Sequence, residues 1–450
     1  MTPEAPVSLW PDPEALGPVT DLYQLTMMAG YGASGLDRSR ATFELFVRKL
    51  PPGRSYLVFA GLEQAIGSLL GARFSADQVD ALRDWPIFAG IDPAWFDSLL
   101  DYRFEGDVWA IPEGSVVFAG EPLLRVEAAL PQGQLAETLL LSSLGYPTLV
   151  ASKASRIVAA AQGRAVIDFG ARRGHGPQAG FLNARASYLA GFAGTSLVEA
   201  ARRLGIPASG TMAHSWVQAF GDEAQAFSTF ARLFPGQATL LVDTYDTDEG
   251  VRQAALIEPP VRAVRLDSGD LLESSRSART ILDRMGRSGV QILASNDLDE
   301  RSIDALVSAA APIDAFGVGT ELITCRDAPA ISMVYKLVEL DGVGRIKRAP
   351  GKKTYPLGKQ VHRSRDAEGR FAFDRVTKAD EASDGEPLLI PIVRAGKLVD
   401  GPPSLEAIRE RCRSQVADLP DWLRGVDAPA SYRVEYSDRL EAEASRLGMG

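Results

Sequence analysis

Cysteine and histidine are scarce in this chain: two cysteines, Cys325 and Cys412, and three histidines, His175, His214 and His362, stand among 450 residues. Two cysteines so far apart exclude a disulfide framework and a zinc cluster, and scattered histidines without an HxH pair argue against a metal-dependent hydrolase. Long apolar runs are missing too, since no segment reaches the ~18 uninterrupted apolar residues that a membrane-spanning helix needs. Positive charge is in deficit, with a net charge of −10. Non-specific nucleic-acid binding, which rests on surplus lysine and arginine meeting phosphates, is thereby disfavoured. The first residues, MTPEAPVSLWPDPEALGP, lack the basic start and apolar core of a signal peptide. A cytoplasmic location is the expectation.

What is present is ordinary globular composition, 46% hydrophobic and 24% charged, in a chain long enough for two or three cores. VTDLYQLTMMAGY, at residues 19–31, has helical spacing after the N-cap candidates Thr20 and Asp21. ATFELFVRKLP reads as a strand and SYLVFAGLEQAIGSLL as a strand turning into a helix. From Tyr102 to Leu130 short strands alternate with Gly and Pro turns, and a matching β-rich region returns after Met333. These distant pieces are expected to fold together. Between them lie RAVIDFG, IPASGTMAHS, ATLLVDTYD, RAVRLDSGD, VQILASND and IDAFGVGT, the later ones recurring roughly every 25 residues, the interval of a βα unit.

The fold class expected is therefore α/β: an irregular (β/α) barrel with a flanking β-rich domain built from N-terminal and C-terminal segments. The division expected is 1–134 in the β-rich domain, 135–332 as the barrel, 333–402 returning to the β-rich domain with a basic loop, and 403–450 as C-terminal helices. Each apolar run ends in polar or glycine residues: Asp168, His214, Asp243, Asp267, Asn296 with Asp297, and Gly317 with Gly319. In a barrel such ends converge on one rim. Any one of them is equally an N-cap, and His214 alone is equally a buried histidine satisfied by a carbonyl.

Four stretches carry possible chemistry. FGARRGHGP offers Phe169 as a ring face and Arg172 and Arg173 as planar guanidiniums, which suits an aromatic acid; a surface ion-pair loop is the alternative. VRLDSGD places Arg265, Asp267, Ser268, Gly269 and Asp270 before a helix, with carboxylates for hydroxyls and amides for an anion; DSGD is also a good turn and cap. FGVGT, with Gly317, Gly319 and Thr320, stands where barrels often bind phosphate, or merely packs closely. RIKRAPGKKTYPLGKQVHR gathers Arg345, Lys347, Arg348, Lys352, Lys353, Lys359 and Arg363. Such a run is either a solvated face or a loop that closes over polyphosphate.

Taken together, TDLYQLTMMAGY, FELFVRKLP, FGARRGHGP, GTMAHSW, RLDSGD, FGVGT and GKQVHR resemble the nicotinate phosphoribosyltransferases, in that family's order and over nearly the whole chain. The resemblance implies a type II phosphoribosyltransferase fold and a homodimer with shared sites. It implies that nicotinate, phosphoribosyl pyrophosphate and ATP are substrates, with Mg²⁺ as cofactor, in NAD biosynthesis. It implies roles as well. Tyr23 of a partner subunit and Phe169 would sandwich the pyridine ring, Arg172 would pair with the carboxylate, and His214 would be phosphorylated by ATP. Arg265, Asp267, Gly317 and Gly319 would hold the ribose and 5′-phosphate, with Ser268, Gly269, Asn296, Asp297 and Thr320 also binding substrate, and the lysines and arginines of the 345–363 loop, Lys352 and Lys353 among them, would meet the pyrophosphate. Ser196 stands where related nicotinamide enzymes carry an aspartate, which favours the acid. Nicotinamide and quinolinate transfer remain the neighbouring alternatives, and a silent sensor of pyridine nucleotides a more distant one.

Overall fold

The structure is a computed structural model that describes residues 11–347, 354–426 and 430–448. A seven-stranded sheet joins the two ends of the chain. Its strand order is Val343–Gly344, Met333–Leu340, Arg40–Val47, Pro122–Ala129, Asp107–Ala110, Ile390–Arg394 and Lys397–Leu398. The strand Arg40–Val47 lies antiparallel between Met333–Leu340 and Pro122–Ala129, and most of it is buried. Even Glu44 is buried there, paired with Lys359 Nζ at 2.8 Å. A four-stranded sheet adjoins it: Glu386–Pro387, Lys359–Arg365, Phe371–Lys378 and Val434–Tyr436.

Residues 165–318 form the second layer, a parallel sheet ordered Gly194–Thr195, Ala165–Asp168, Ala315–Val318, Gln291–Ala294, Ala263–Leu266, Thr239–Leu241. The last strand in the chain pairs with the first, Val318 opposite Asp168, so the sheet curls as part of a barrel. Its strands are short and almost wholly buried, as strands covered on both faces must be. The helices outside are amphipathic. Leu271–Arg284, for example, buries Leu271, Ser275, Ala278 and Leu282, one helical face, and starts where Asp270 accepts from the amides of Leu272 and Glu273. The 31-residue helix Leu130–Ala160 packs against both layers. Among the described residues no helix is long and apolar enough to cross a membrane.

The α/β class with a barrel-like sheet and a β-rich domain made from both ends is thus present. The curl is open, however: no ladder joins Thr239–Leu241 to Gly194–Thr195 among the described residues. The run IPASGTMAHS, expected as a strand ahead of His214, makes only a single bridge, Ala208 to Thr195. Pro207 has no amide to donate, and the Met212 carbonyl accepts from Arg265 rather than from a ladder amide. His214 accordingly is the first residue of the short helix His214–Gln218, reached by an extended loop that spans the gap.

Candidate active site

The strand ends converge. Phe169, Arg172, Ser196, His214, Arg265, Asp267, Asn296, Asp297, Gly317, Gly319 and Thr320 line one cavity of about 550 Å³. Parallel register produces this: Asp168 is level with Thr195 and Val318, and Ala294 with Leu266, so the residues that follow each strand emerge at one height.

Arg265 is the centre of the arrangement. Its Nη2 lies 3.0 Å from Asp267 Oδ2, its Nε donates to Ser295 Oγ at 3.0 Å, and its Nη1 donates to Thr211 Oγ1 at 2.5 Å. Ser295 Oγ in turn donates to Asp267 Oδ1 at 2.5 Å. Arginine, aspartate and serine thus lock one another, presenting a fixed charge pattern to a ligand. The Phe169 ring stands over Gly317, where a Cβ would come within 2.5 Å of the ring carbons, so glycine is required for the ring to lie there. Arg172 and Arg173 follow on the short turn Ala171–Arg173, both exposed, and neither has an ion-pair partner among the described residues.

Behind His214 stands Asp243, one of the strand-end residues to which no role falls from the sequence. Its carboxylate is 2% exposed, and Oδ1 lies 3.3 Å from His214 Nε2. Its Oδ2 accepts from the Asp267 amide at 2.8 Å and from Ser268 Oγ at 2.7 Å. Asp243 therefore couples the histidine to the Asp267 turn and turns Nε2 inward, leaving Nδ1 as the other ring nitrogen. Asp168 plays a different part. Burial raises its carboxyl above the usual range, against the Gly170 amide and the Thr195 hydroxyl that favour the charged form, and it ties neighbouring strand ends together. Arg173, Gly210, Thr211, Met212, Ala213 and Ser295 also line the cavity.

Other expected site residues lie elsewhere. Ser268 and Gly269 are not in the lining; the Ser268 hydroxyl is given to Asp243, and Gly269 turns the chain, at φ +70°, into the next helix. Tyr23 is on the helix Leu22–Ala33, half exposed and away from the cavity of its own chain. Its hydroxyl donates to Glu137 at 3.2 Å, and burial together with that carboxylate pushes the phenol up to about 12. Lys352 and Lys353, with Arg348, lie outside the described residues. Two further members of the basic run are not free for phosphate. Lys359 is buried against Glu44, and Arg363 is buried with Nη2 2.6 Å from Asp374 Oδ2 and Nη1 on the Val116 carbonyl. Each closes a buried ion pair whose rupture costs about 3–5 kcal/mol. Among the described residues no three His, Cys, Asp or Glu are grouped to hold a metal ion.

The fold and this cavity define an α/β protein whose parallel strands end at one cavity walled in part by arginines without ion-pair partners among the described residues. Comparison with known proteins narrows the class. Residues 19–144 match the nicotinate phosphoribosyltransferase N-terminal domain, residues 165–380 the nicotinate phosphoribosyltransferase family, and residues 381–442 its C-terminal domain. A nicotinate phosphoribosyltransferase of Mycobacterium tuberculosis is 48% identical over 436 residues, covering 95% of this chain and 93% of that one. The human enzyme of that name is 31% identical, covering 98% of each chain. A crystal structure of human nicotinic acid phosphoribosyltransferase superposes with a TM-score of 0.84 at 29% identity, over 95% of this chain and 99% of that one. A nicotinate-nucleotide pyrophosphorylase from Pyrococcus furiosus gives 0.74 at 28% identity, over 89% and 95%. The chain belongs to the nicotinate phosphoribosyltransferase family.

Proposed function

We propose that the protein transfers the phosphoribosyl group of 5-phosphoribosyl 1-pyrophosphate to nicotinate, forming nicotinate mononucleotide and pyrophosphate for NAD salvage, with ATP hydrolysed through a phosphohistidine at His214. The observation that carries this reading is the meeting of Phe169, Arg172, His214 and Asp267 in one cavity, although they are spread over nearly 100 residues of chain. In it the ring lies on Phe169, and Arg172 takes the carboxylate as a planar, two-pronged donor. Ser196, uncharged, does not repel that carboxylate. The Arg265–Asp267–Ser295 lock and the loops at Asn296 and Gly319 hold the ribose and its phosphate. The pyridine nitrogen forms its bond to C1 of the ribose as the bond from C1 to the pyrophosphate oxygen breaks. Such a loose, cationic transition state is served by alignment and by charge placed in advance.

With no cluster of metal ligands among the described residues, Mg²⁺ would arrive with the pyrophosphate, met by one or two carboxylates, of which Asp267 and Asp297 line the cavity. When bound it neutralises charge on the departing group. In the ATP half-reaction His214 Nδ1 forms a bond to the γ-phosphorus while the bridging bond to ADP breaks; Asp243, facing Nε2, steadies the positive charge on the ring. Water later cleaves the phosphohistidine. The exposed Tyr23, away from its own cavity, supports the reading that it reaches the site of a second copy in a homodimer. A cytoplasmic location goes with this reading.

The test is direct: nicotinate, phosphoribosyl pyrophosphate, Mg²⁺ and ATP are mixed with the protein and nicotinate mononucleotide is measured. Product forms, ATP increases it, and His214→Ala removes the ATP effect while leaving slow transfer. Faster use of nicotinamide or quinolinate than of nicotinate would overturn the choice of base.

A further inference from the structure

A group of buried charges lies outside the cavity lining, at the roots of two of its loops. Glu300, the first residue of the helix Glu300–Ser308, is 3% exposed. Its Oε1 lies 3.1 Å from Arg156 Nε and 3.4 Å from Arg54 Nη1, and its Oε2 lies 3.1 Å from Lys153 Nζ. Asp327 meets the same Arg54 and Lys153, each at 2.7 Å. Three cations thus face two carboxylates, and Arg54 Nε and Nη2 are buried without a hydrogen-bond partner. Buried charge is a poor source of stability even when balanced, and among the described residues it is not balanced here. Well-packed apolar residues would hold this place as well or better, so the use of the charges is to be sought in what they hold.

The two carboxylates hang from loops of the cavity, and the cations from elsewhere. Asn296 and Asp297 line the cavity with φ of 120° and 44°, a backbone that residues other than glycine avoid, and Glu300 follows within one turn of chain. Gly319 and Thr320 line it too, and the short helix Thr320–Ile323 leads through Cys325, at φ 42°, to Asp327. Lys153 and Arg156 belong to the long helix Leu130–Ala160, and Arg54 to the turn before Leu57–Val58. Both loops are therefore fastened by ion pairs to the long helix that packs against both sheets and to the turn that carries Arg54.

We infer that Arg54 and Lys153 are positioning residues, which hold the loops 295–299 and 319–327 in the geometry that receives the phosphoribosyl donor by gripping Glu300 and Asp327. The inference rests on the reading above, in which those loops take the sugar phosphate. Burial alone would raise the Asp327 carboxyl, but Arg54 and Lys153 outweigh it and hold it down at about 2, so the grip is charged at any physiological pH.

The test uses Asp327→Asn, a half-exposed position where the variant folds, and Glu300→Gln alone and with Lys153→Met, which restores the charge count. Asp327→Asn raises KM for phosphoribosyl pyrophosphate about fivefold while KM for nicotinate stays within about twofold. Glu300→Gln raises it further, and the double variant, which leaves Asp327 only Arg54, recovers none of that loss. Amide hydrogen exchange in 295–299 and 319–327 quickens in Asp327→Asn, with the strands of the parallel sheet unchanged. A merely structural role would lower the melting temperature and the active fraction and leave both KM values in place; that result, with exchange unchanged in the two loops, overturns the inference. Should the unsubstituted protein form no nicotinate mononucleotide, the proposed function fails by itself, and the exchange measurement still decides whether the ion group holds these loops.

Discussion

Replacing Asp243 by asparagine tests the histidine most sharply, because it changes charge and proton placement without changing size. The Asp243 carboxylate has two engagements: Oδ2 accepts from the Asp267 amide and the Ser268 hydroxyl, and Oδ1 faces His214 Nε2 at 3.3 Å. In Asp243→Asn the amide oxygen must keep the first engagement, since the Asp267 N–H has no other described acceptor. The NH₂ is then turned to Nε2 and donates to it. That drives the ring proton to Nδ1, the nitrogen meant for the phosphoryl group, and withdraws the negative charge that steadies a positive ring. Among the described residues Oδ1 accepts no hydrogen bond, so what is lost is an ion-pair contact at 3.3 Å. Because the His214 side chain is 41% exposed, solvent screens that contact and it contributes about 0.2–1 kcal/mol. ATP-driven labelling of the protein with γ-phosphate, followed over a single turnover, should therefore slow by up to about fivefold. Transfer without ATP should change by less than about threefold, because Asp267 keeps its partners. Equal labelling rates in the two proteins, with His214→Ala still unlabelled, would refute the assigned role of Asp243.

Gly317→Ala places a methyl 2.5 Å from the Phe169 ring carbons, and overpacking of this kind costs about 1–3 kcal/mol. The ring is half-buried and moves into the cavity, so KM for nicotinate should rise about tenfold with melting temperature nearly unchanged, measured by initial rates and calorimetry. Ser196→Asp brings a second negative charge to the wall that meets the substrate carboxylate. With solvent screening at this exposed position the repulsion is about 1–2 kcal/mol, so kcat/KM for nicotinate should fall about 5- to 30-fold and that for nicotinamide should not. Glu223 is pushed up to about 7 by burial and by Asp222, Glu249 and Asp246, so the folded state holds a proton that the unfolded chain has released between about pH 4 and 7. Stability is accordingly lost as pH rises through that window, and Glu223→Gln should raise the melting temperature at pH 8 while leaving it unchanged at pH 4.

How much of this was open to a reader of the sequence depends on which physical constraint left a mark on it. Parallel strands buried on both faces must be apolar runs, and five of the six expected runs are strands in the sheet. The sixth, IPASGTMAHS, imitates one because Ile206 and Met212 are buried, but they are buried from a loop. The two-residue strand Gly194–Thr195 that takes an edge instead is too short to show any period. Charge is harder to read than apolarity, because a sequence displays charges and only the fold shows which of them already have partners. Lys359 and Arg363 sit in the same basic run as the lysines expected on pyrophosphate, yet Glu44, a strand away in the other half of the chain, and Asp374 take them up completely. Arg172 and Arg173, which look no different in sequence, meet no carboxylate among the described residues and stand at the cavity. What a ligand can use is the residue of charge that folding has left unpaired. On that ground the two arginines beside Phe169, rather than Lys359 and Arg363, are the charges that folding leaves open to an acid.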